Sequence, residues 1–253
     1  MSSEKSKDIA PQNPVSVILI AHNEAESIKK DVEDFYRVVL ERLPGSELIV
    51  TEDGSTDGTS EILRDIAARL PIKLVQSKER KGYIKALLDA LRVSHCDWIF
   101  FSDTGGKFNP EDFWRLQARR SDADLIIGVK VERGDQFYRQ LMTRVFNWII
   151  RLYFNISVHD IDSGLRIYRK EMLFKAISTP LILKDMIATE ITLRIIAVKG
   201  ILTEVPVSYS SRVGRSRGMP PKKIPRVIGH VLSSFPRLKE EMSRLKTLDD
   251  RNG

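Results

Sequence analysis

The chain has 253 residues, 42% of them hydrophobic and 30% charged, so it is long enough to bury one large core. A single cysteine, Cys96, excludes an intramolecular disulfide and favours a reducing compartment. The polar N-terminus lacks the features of a signal peptide, and the longest apolar run, residues 146–156, is short and contains Arg151. The sequence therefore predicts a cytoplasmic protein that is not integral to a membrane.

The formal net charge of +7 is unevenly distributed. Residues 212–246 contain ten Lys and Arg but only two Glu, so the rest of the chain is nearly neutral. A concentrated basic end predicts an anionic surface or ligand. Because this end lacks interleaved aromatic residues, we expect no nucleic-acid partner.

The first half of the chain alternates apolar strand patterns with helical patterns, after a leader (residues 1–14) that is predicted to be disordered. Residues 15–21 (VSVILIA) have the continuous apolar character of a buried parallel strand. Further strands are predicted at 48–51, 72–75, 97–102 and 124–129. This alternation predicts an open α/β sheet that is mainly parallel and flanked by helices.

The second half is less regular. A long helix is predicted over 137–154, a loop and strand over 160–169, and a helix over 183–198. The last strand, residues 201–209, contains Pro206, which predicts a sheet edge or a bulge. Residues 211–221 have the composition of a mobile loop.

Two acidic turns follow predicted strands, at Asp53 in EDGSTDGT (residues 52–59) and at Asp103 in DTGG. If the strands are neighbours in a parallel sheet, both turns flank one crevice. Carboxylates placed in this way suit a nucleoside diphosphate with a bridging Mg²⁺ or Mn²⁺. Alternatively, both turns are ordinary turns that lead into helices.

Several basic residues follow the predicted strands and are together candidates to bind phosphates, although each one alone is more typical of a solvated surface. They are Arg80, Lys81, Lys107, Lys130, Arg133, Arg139 and Arg144. The sequence has no nucleophile elbow and no Walker loop, which argues against hydrolase and ATPase functions.

Residues 222–238 have an amphipathic helical pattern. The apolar stripe contains Ile224, Val227, Ile228, Val231, Leu232 and Phe235, and the other face is basic. Such a helix is typical of an interfacial membrane anchor, and the basic loop before it favours that interpretation. The alternative is a C-terminal helix that packs on its own domain.

Several ordered motifs resemble glycosyltransferase family 2, in particular its dolichyl-phosphate mannose synthase-like branch. The resemblance spans residues 15–217 and is carried by segments 21–24 (AHNE), 52–59, 81–82, 102–112, 139–147, 160–172 (DIDSGLRIYRKEM), 204–209 and 212–217. It implies one GT-A domain over 15–210, a Rossmann-like nucleotide-sugar-binding α/β fold, followed by a basic loop and amphipathic helices over 211–253. It also implies inverting transfer of a hexose from GDP-mannose or UDP-glucose to a polyprenyl phosphate at the cytoplasmic membrane surface.

The resemblance also implies roles for particular residues. Binding of the donor and acceptor is assigned to Ala21, Asn23, Glu24, Asp53, Lys81, Asp103, Lys130, Thr143, Arg212, Ser216 and Arg217, the last three in a closing loop. Stabilisation of the leaving diphosphate is assigned to Asp103, Arg139 and Arg144, with Asp103 as the metal ligand, and we add Lys107, where the chain departs from the family. A phosphate acceptor is already anionic, so this chemistry requires no strong general base.

One departure concerns the metal. The family usually has Asp-x-Asp, whereas this chain has Asp103-Thr104-Gly105 followed by Lys107. Our hypothesis is that Lys107 replaces part of the charge of Mg²⁺ or Mn²⁺, which leaves weak or absent metal dependence. A milder version keeps one metal between Asp103 and the diphosphate, and a harsher version makes the protein a non-catalytic nucleotide-sugar-binding module.

A second departure is the lack of the C-terminal transmembrane spans that many relatives have. The amphipathic end, or a small integral membrane partner, would then bring the enzyme to its lipid. The alternative within the enzyme class is transfer to a saccharide acceptor in surface-glycan synthesis, which requires a carboxylate base that the sequence does not identify.

Overall fold

The computed structural model describes residues 13–133, 137–210 and 224–252. Within these ranges, the side chains of residues 132–133, 137–139, 224–227 and 251–252 are not described. The predicted disordered leader and the predicted mobile loop therefore lie almost entirely outside the described residues. Seven strands are β1 Ser16–Ala21, β2 Glu47–Asp53, β3 Lys73–Ser77, β4 Trp98–Asp103, β5 Leu125–Arg133, β6 Leu165–Arg169 and β7 Leu202–Tyr209. The helices are α1 Ile28–Phe35, α2 Thr59–Ala67, α3 Tyr83–Val93, α4 Asp112–Gln117, α5 Phe137–Phe154, α6 Lys170–Ala176, α7 Ile187–Ala197 and α8 Ile224–Asn252.

The strands form one sheet in the order β3-β2-β1-β4-β6-β5-β7. Six strands run in the same direction, and β6 alone is antiparallel to its two neighbours, β4 and β5. The prediction of a mainly parallel α/β sheet is thus confirmed. The strand order reverses at β1, which lies between β2 and β4, and this is where an open α/β sheet forms a crevice beyond the carboxyl ends of its strands.

Both faces of the sheet are covered, which explains the continuous apolar character of the central strands. Val17 and Leu19 of β1 pack into the core under α1, α2 and α4, whereas Ile18 packs into the core on the opposite face. All three side chains are completely buried. Burial of this kind contributes about 2 kcal/mol per large aliphatic side chain, so β1 is fixed in place and its carboxyl end is a rigid base for a site.

The predicted strands agree with the observed ones to within a few residues, and the helix predicted before β7 differs. The first helix continues after α1 as a π-helical turn, Tyr36–Leu40. The helix predicted over 183–198 begins only at Ile187. The reason is that the buried Glu190 carboxylate accepts the N–H of Leu183 at 2.6 Å, which holds the preceding segment as a loop.

Pro206 lies in β7, an edge strand, as predicted. Cys96 is buried and free, as its apolar neighbours indicate. Among the described residues, no helix has both the length and the apolar composition that crossing a bilayer requires. The division between a domain over 15–210 and a C-terminal region over 211–253 stays a prediction.

The described part of the last predicted helix supports the alternative of packing on its own domain for most of its apolar stripe, and the membrane-anchor interpretation stays a prediction. Val231 and Phe235 of its apolar stripe are buried, at 1% and 2% exposure, and Leu238 is equally covered. The ring of Phe235 lies 4.9 Å from that of Tyr153 on α5, centroid to centroid. Val231 and Phe235 therefore pack on the rest of the protein, in the core beside α5 and α7, whereas Leu232 of the same stripe is 37% exposed.

Candidate functional site

A crevice opens at the carboxyl ends of β1, β2 and β4. At the bottom of this crevice lies a cavity of about 190 Å³. The cavity brings together residues from the two acidic turns and from the loop before α3. Its lining residues are Ile20, His22, Glu24, Asp53, Arg80, Tyr83, Phe101, Asp103, Thr104 and Lys107.

Asp53, at the end of β2, is only 3% exposed. Its carboxylate accepts the backbone N–H groups of Lys81 at 2.6 Å and of Gly82 at 3.0 Å. Gly54 must be glycine, because a Cβ would lie 2.4 Å from the backbone nitrogen of Arg80. Asp53 thus borders the cavity as predicted, and it also fixes the loop that carries Arg80 into the crevice.

The AHNE segment holds the acidic turn against β1. The amide oxygen of Asn23 accepts the N–H of Thr56 at 2.7 Å, and the N–H of Glu24 donates to the Thr59 hydroxyl at 2.7 Å. Glu24 lines the cavity, whereas Asn23 does not. Ala21, the last residue of β1, is completely buried in the core and does not line the cavity.

The Lys81 side chain does not line the cavity in which its predicted role in donor binding would place it. Its Nζ is 3.1 Å from the Asp89 carboxylate on α3, and the side chain is 45% exposed. Arg80, its neighbour, lines the cavity instead. The sequence singled out both residues as basic but assigned the donor role to Lys81.

Asp103, at the end of β4, faces the cavity with its side chain 32% exposed. Its Oδ2 is 2.9 Å from Nζ of Lys107, so the residues predicted to act on the diphosphate form an ion pair. Asp103 also packs on Gly164, where a Cβ would lie 2.3 Å from the carboxylate carbon. Glycine at position 164 therefore makes the space that the Asp103 side chain occupies.

The turn after Asp103 is fastened by a residue that the sequence analysis missed. Asp31 of α1 accepts the N–H of Gly105 at 2.7 Å and of Gly106 at 3.0 Å. Both glycines have positive φ angles, of 100° and 65°. Burial raises the pKa of Asp31, and the hydrogen bonds from Gly105 and Gly106 oppose this effect.

A second cavity of about 270 Å³ adjoins the first and shares Tyr83, Phe101 and Asp103 with it. Its remaining polar lining comes from Asp162, Tyr168, Lys184 and Asp185, which the sequence analysis did not single out. Tyr83 is 38% exposed as a residue, and desolvation of its phenol, followed by the charge of Asp103, raises its pKa above the ordinary value. The phenol is therefore protonated at neutral pH and can donate a hydrogen bond to a ligand.

The wall of the second cavity is fixed by a completely buried cation. Nη1 of Arg166 on β6 donates to the Ala188 carbonyl at 3.0 Å and to the Thr192 hydroxyl at 2.6 Å, and Nε donates to the Ser163 carbonyl. These bonds join the start of α7 to the segment before β6. Because a buried guanidinium is stable only when its donors are satisfied, Arg166 holds both segments at one position.

The remaining predicted phosphate-binding residues lie on β5 and α5. Nζ of Lys130 is 3.7 Å from the buried Asp160 and 5.1 Å from the ring centre of Tyr209. Thr143 is half-buried and Arg144 is exposed. Asn147, one turn further along α5, donates to the His159 carbonyl at 2.7 Å and so ties this helix to the segment that holds Lys130.

Five predicted residues cannot be placed. The side chains of Arg133 and Arg139 are outside the described part of the structure, and so are Arg212, Ser216 and Arg217 of the predicted closing loop. The last described residue before that loop is Ser210, whose N–H donates to the Lys107 carbonyl at 2.9 Å. The chain therefore leaves β7 directly beside the Asp103–Lys107 pair.

The residues present do not fit a divalent metal site of the usual kind. Within the described ranges, no group of three or more His, Cys, Asp or Glu side chains is placed to hold a metal ion. Hard cations take several oxygen ligands, whereas Asp103 is accompanied here by an ammonium group.

Comparison with known proteins gives the family. Residues 16–175 match the model of glycosyl transferase family 2, which is more than half of the chain. The chain belongs to this family.

Its relatives include two kinds of enzyme named for polyprenyl lipids. It is 26% identical over 226 residues to polyprenol monophosphomannose synthase of Mycolicibacterium smegmatis, and this match covers 83% of each chain. It is also 26% identical over 166 residues to undecaprenyl-phosphate 4-deoxy-4-formamido-L-arabinose transferase of Pseudomonas aeruginosa, covering 64% of this chain. The chain spans about half the length of the latter relative, 49%.

Solved structures support the fold. Glucosyl-3-phosphoglycerate synthase of Mycobacterium tuberculosis, in complex with Mn²⁺, UDP and glucosyl-3-phosphoglycerate, superimposes with a TM-score of 0.67 at 22% identity. The match covers 87% of this chain and 79% of that structure. At this identity the likeness shows the fold alone, and the predicted GT-A fold is confirmed.

Proposed function

We propose that the protein transfers a hexose, with inversion, from a nucleotide sugar to a polyprenyl phosphate at a membrane surface. The observation that carries this proposal is the match to polyprenol monophosphomannose synthase over 83% of both chains. The two adjoining cavities support it. The first has the carboxylate and cations that suit a nucleoside diphosphate, and the second has the hydroxyl and carboxyl groups that suit a sugar.

The reaction forms a bond between a phosphate oxygen of the acceptor and the anomeric carbon. It breaks the bond between that carbon and the donor diphosphate, which leaves as the nucleoside diphosphate. The acceptor oxygen is already negatively charged, so the main requirement is to stabilise the leaving group and to align the two phosphates. Lys107 and Arg80 line the donor cavity for this purpose, and Lys130 and Arg144 lie towards α5 for the acceptor phosphate.

The exposed face of α5 supports a membrane location. Its sequence, FYRQLMTRVFNWIIRLYF, contains three arginines and no acidic residue. Four apolar side chains lie three or four residues apart and are exposed: Leu141 by 50%, Val145 by 48%, Trp148 by 58% and Leu152 by 70%. An apolar stripe that includes Trp, on a helix with only basic charges, is typical of a helix that lies in the membrane interface.

This assignment moves the proposed membrane contact from α8 to α5. The two helices pack together through Phe235 and Tyr153, so basic residues of α8 such as Lys239, over the Tyr153 ring at 5.5 Å, lie on the same side of the protein. The small integral membrane partner that the sequence suggested stays a prediction.

The transfer is tested with labelled GDP-mannose and UDP-glucose and with polyprenyl phosphate in lipid vesicles. We expect an organic-soluble labelled product from one of the donors and none when the lipid is a polyprenol without phosphate. Label that stays in the aqueous phase with both donors, or that enters the phosphate-free lipid equally well, would contradict the proposal.

The membrane contact is tested by flotation with vesicles that contain phosphatidylglycerol. We expect Trp148→Ser with Leu152→Ser to reduce the bound fraction several-fold, because each change removes an apolar side chain from the interface. Ile201→Ser is the matched control, since Ile201 is 61% exposed but precedes β7. Equal binding of both variants and the wild type would remove α5 from the contact.

A saccharide acceptor is the second candidate, and the second cavity gives it a specific basis. Such an acceptor needs a carboxylate that removes a hydroxyl proton, and Asp185 lines this cavity beside Lys184. Under this alternative Asp185→Asn would abolish transfer. Under the phosphate-acceptor proposal it would leave most of the activity.

A further inference from the structure

We propose that the Lys107 ammonium group, in place of a divalent cation, binds the donor diphosphate, so that donor binding by this chain does not depend on metal. The inference rests on the proposed nucleotide-sugar donor and concerns how this chain holds it. Three independent features of the structure carry it.

The first feature is the backbone at Gly105, where the family pattern has a second aspartate. Gly105 has a φ angle of 100°, in the left-handed region that side chains other than glycine rarely adopt. Gly106 follows with a φ of 65°. An aspartate at position 105 would be strained in this turn. The backbone conformation therefore disfavours the second carboxylate of the family pattern.

The second feature is the restraint on that turn. The Asp31 carboxylate, on a side of α1 that is buried, accepts both glycine N–H groups at 2.7 and 3.0 Å. These are charge-assisted hydrogen bonds in a buried position, where losing the partner is costly. The turn therefore keeps its shape whether or not a ligand is present, and it cannot easily rearrange to bring another oxygen to a metal.

The third feature is the position of the ammonium group. Nζ of Lys107 lies 2.9 Å from Oδ2 of Asp103, the carboxylate that remains available to a metal, and both residues line the donor cavity. The Lys107 backbone is held by the N–H of Ser210, and the next residue, Phe108, packs on the Tyr209 ring at 5.4 Å. A cation that is already fixed at this carboxylate repels a second cation there.

An ammonium group has three donors, so Lys107 can keep its bond to Asp103 and also donate to diphosphate oxygens. It supplies positive charge at the place where the leaving group gains negative charge. Asp103 then orients the lysine, and the lysine binds the diphosphate.

The test measures binding of UDP and GDP by calorimetry, in excess EDTA and in Mn²⁺, with uridine and guanosine as phosphate-free probes. For whichever nucleotide the wild type binds, we expect the Kd in EDTA to lie within threefold of the Kd in Mn²⁺. Lys107→Met should raise the Kd of the diphosphate at least tenfold in EDTA and leave the affinity for the nucleoside unchanged. Lys199→Met is the matched control, because Lys199 is ion-paired to Asp250 on the surface.

Each outcome decides the proposal. If chelation weakens binding of the nucleoside diphosphate more than tenfold and Mn²⁺ restores that binding, the inference is wrong, while the proposal of a nucleotide-sugar donor stands. The same holds if Lys107→Met binds the diphosphate as tightly as the wild type does. If neither nucleotide binds under any condition, the proposed donor fails as well. Lys107→Arg, which keeps the charge, should retain most of the metal-free affinity, and its failure together with folded protein by circular dichroism would also count against the proposal.

Discussion

The two acidic turns look alike in the sequence, yet the structure uses them differently. Asp53, at the end of β2, is 3% exposed and accepts the backbone N–H groups of Lys81 and Gly82 from the loop before α3. In the turn after β4, the glycine N–H groups are taken by Asp31, and the Asp103 carboxylate is 32% exposed beside Lys107. The first carboxylate holds the protein together, and the second faces the ligand.

The difference shows that a carboxylate at a strand end acquires its role from the donors around it. Backbone N–H groups that point at a carboxylate make it structural, because breaking those bonds in a buried position is costly. When another residue takes those N–H groups, the carboxylate can meet a ligand. Here Asp31 accepts the N–H groups of Gly105 and Gly106, and Asp103 faces the cavity.

The largest effect should come from filling the space beside the ligand-facing turn. Gly164→Ala places a methyl group 2.3 Å from the Asp103 carboxylate carbon, so the carboxylate must move together with its partner Lys107. We expect sugar transfer to fall at least 100-fold, as displacements of about 1 Å often cost this much. Gly229→Ala in α8 is the control, since a Cβ there meets nothing within 4 Å. Full activity of Gly164→Ala would show that the position of Asp103 is unimportant.

The next prediction compares how replacing Asp53 and replacing Asp103 affect the stability and the activity of the protein. Asp53→Ala leaves two backbone N–H groups without their partner and should reduce the free energy of unfolding by about 2 kcal/mol. Asp103→Ala should change it by less than about 0.5 kcal/mol, as expected for a partly exposed ion pair, but should reduce transfer at least tenfold. Urea unfolding and initial rates measure both quantities. The comparison between the turns fails if the two variants lose stability equally.

The smallest effect concerns Asp31, which accepts the N–H groups of the turn after Asp103. Burial raises the pKa of Asp31 above its ordinary value of 3.8, so the folded state holds this proton more tightly than the unfolded chain does. Stability from this proton is fully present below pH 3.8 and is lost as the pH rises through the raised pKa. Compared with Asp31→Asn, the wild type should therefore lose unfolding free energy as the pH rises from 4 to 7. A difference that is constant with pH would contradict this assignment.

Much of the fold could be predicted because its signals are local. The apolar run at residues 15–21 and the alternation of strands and helices indicate the sheet, and Pro206 indicates the edge strand. The delayed start of α7 could not be predicted, because it depends on a hydrogen bond from Leu183 to the buried Glu190. A helical pattern of apolar residues contains no information on that bond.

The site could be predicted only in part, for the same reason. The sequence places Asp53 and Asp103 at one edge of the sheet, but their different roles depend on partners that are distant along the chain. Asp31 looks like an ordinary polar residue of an amphipathic helix. Tyr83 and Tyr168 lie on different elements, and only the fold brings them to one cavity. The one signal that could have pointed to Asp31 is the pair of adjacent glycines, whose N–H groups need an acceptor.

The single reversed strand has a consequence for how the chain tolerates change. Because β6 runs against its neighbours, its first residues arrive at the edge where β4 ends, and Gly164 meets Asp103 there. A shift of β6 by one residue along β4 would turn its side chains to opposite faces and place a different residue against Asp103. Insertions and deletions in segment 160–164 should therefore be far less acceptable than in the loops at the opposite edge of the sheet, and the alignment of one short strand keeps the spacing of the ligand-facing groups.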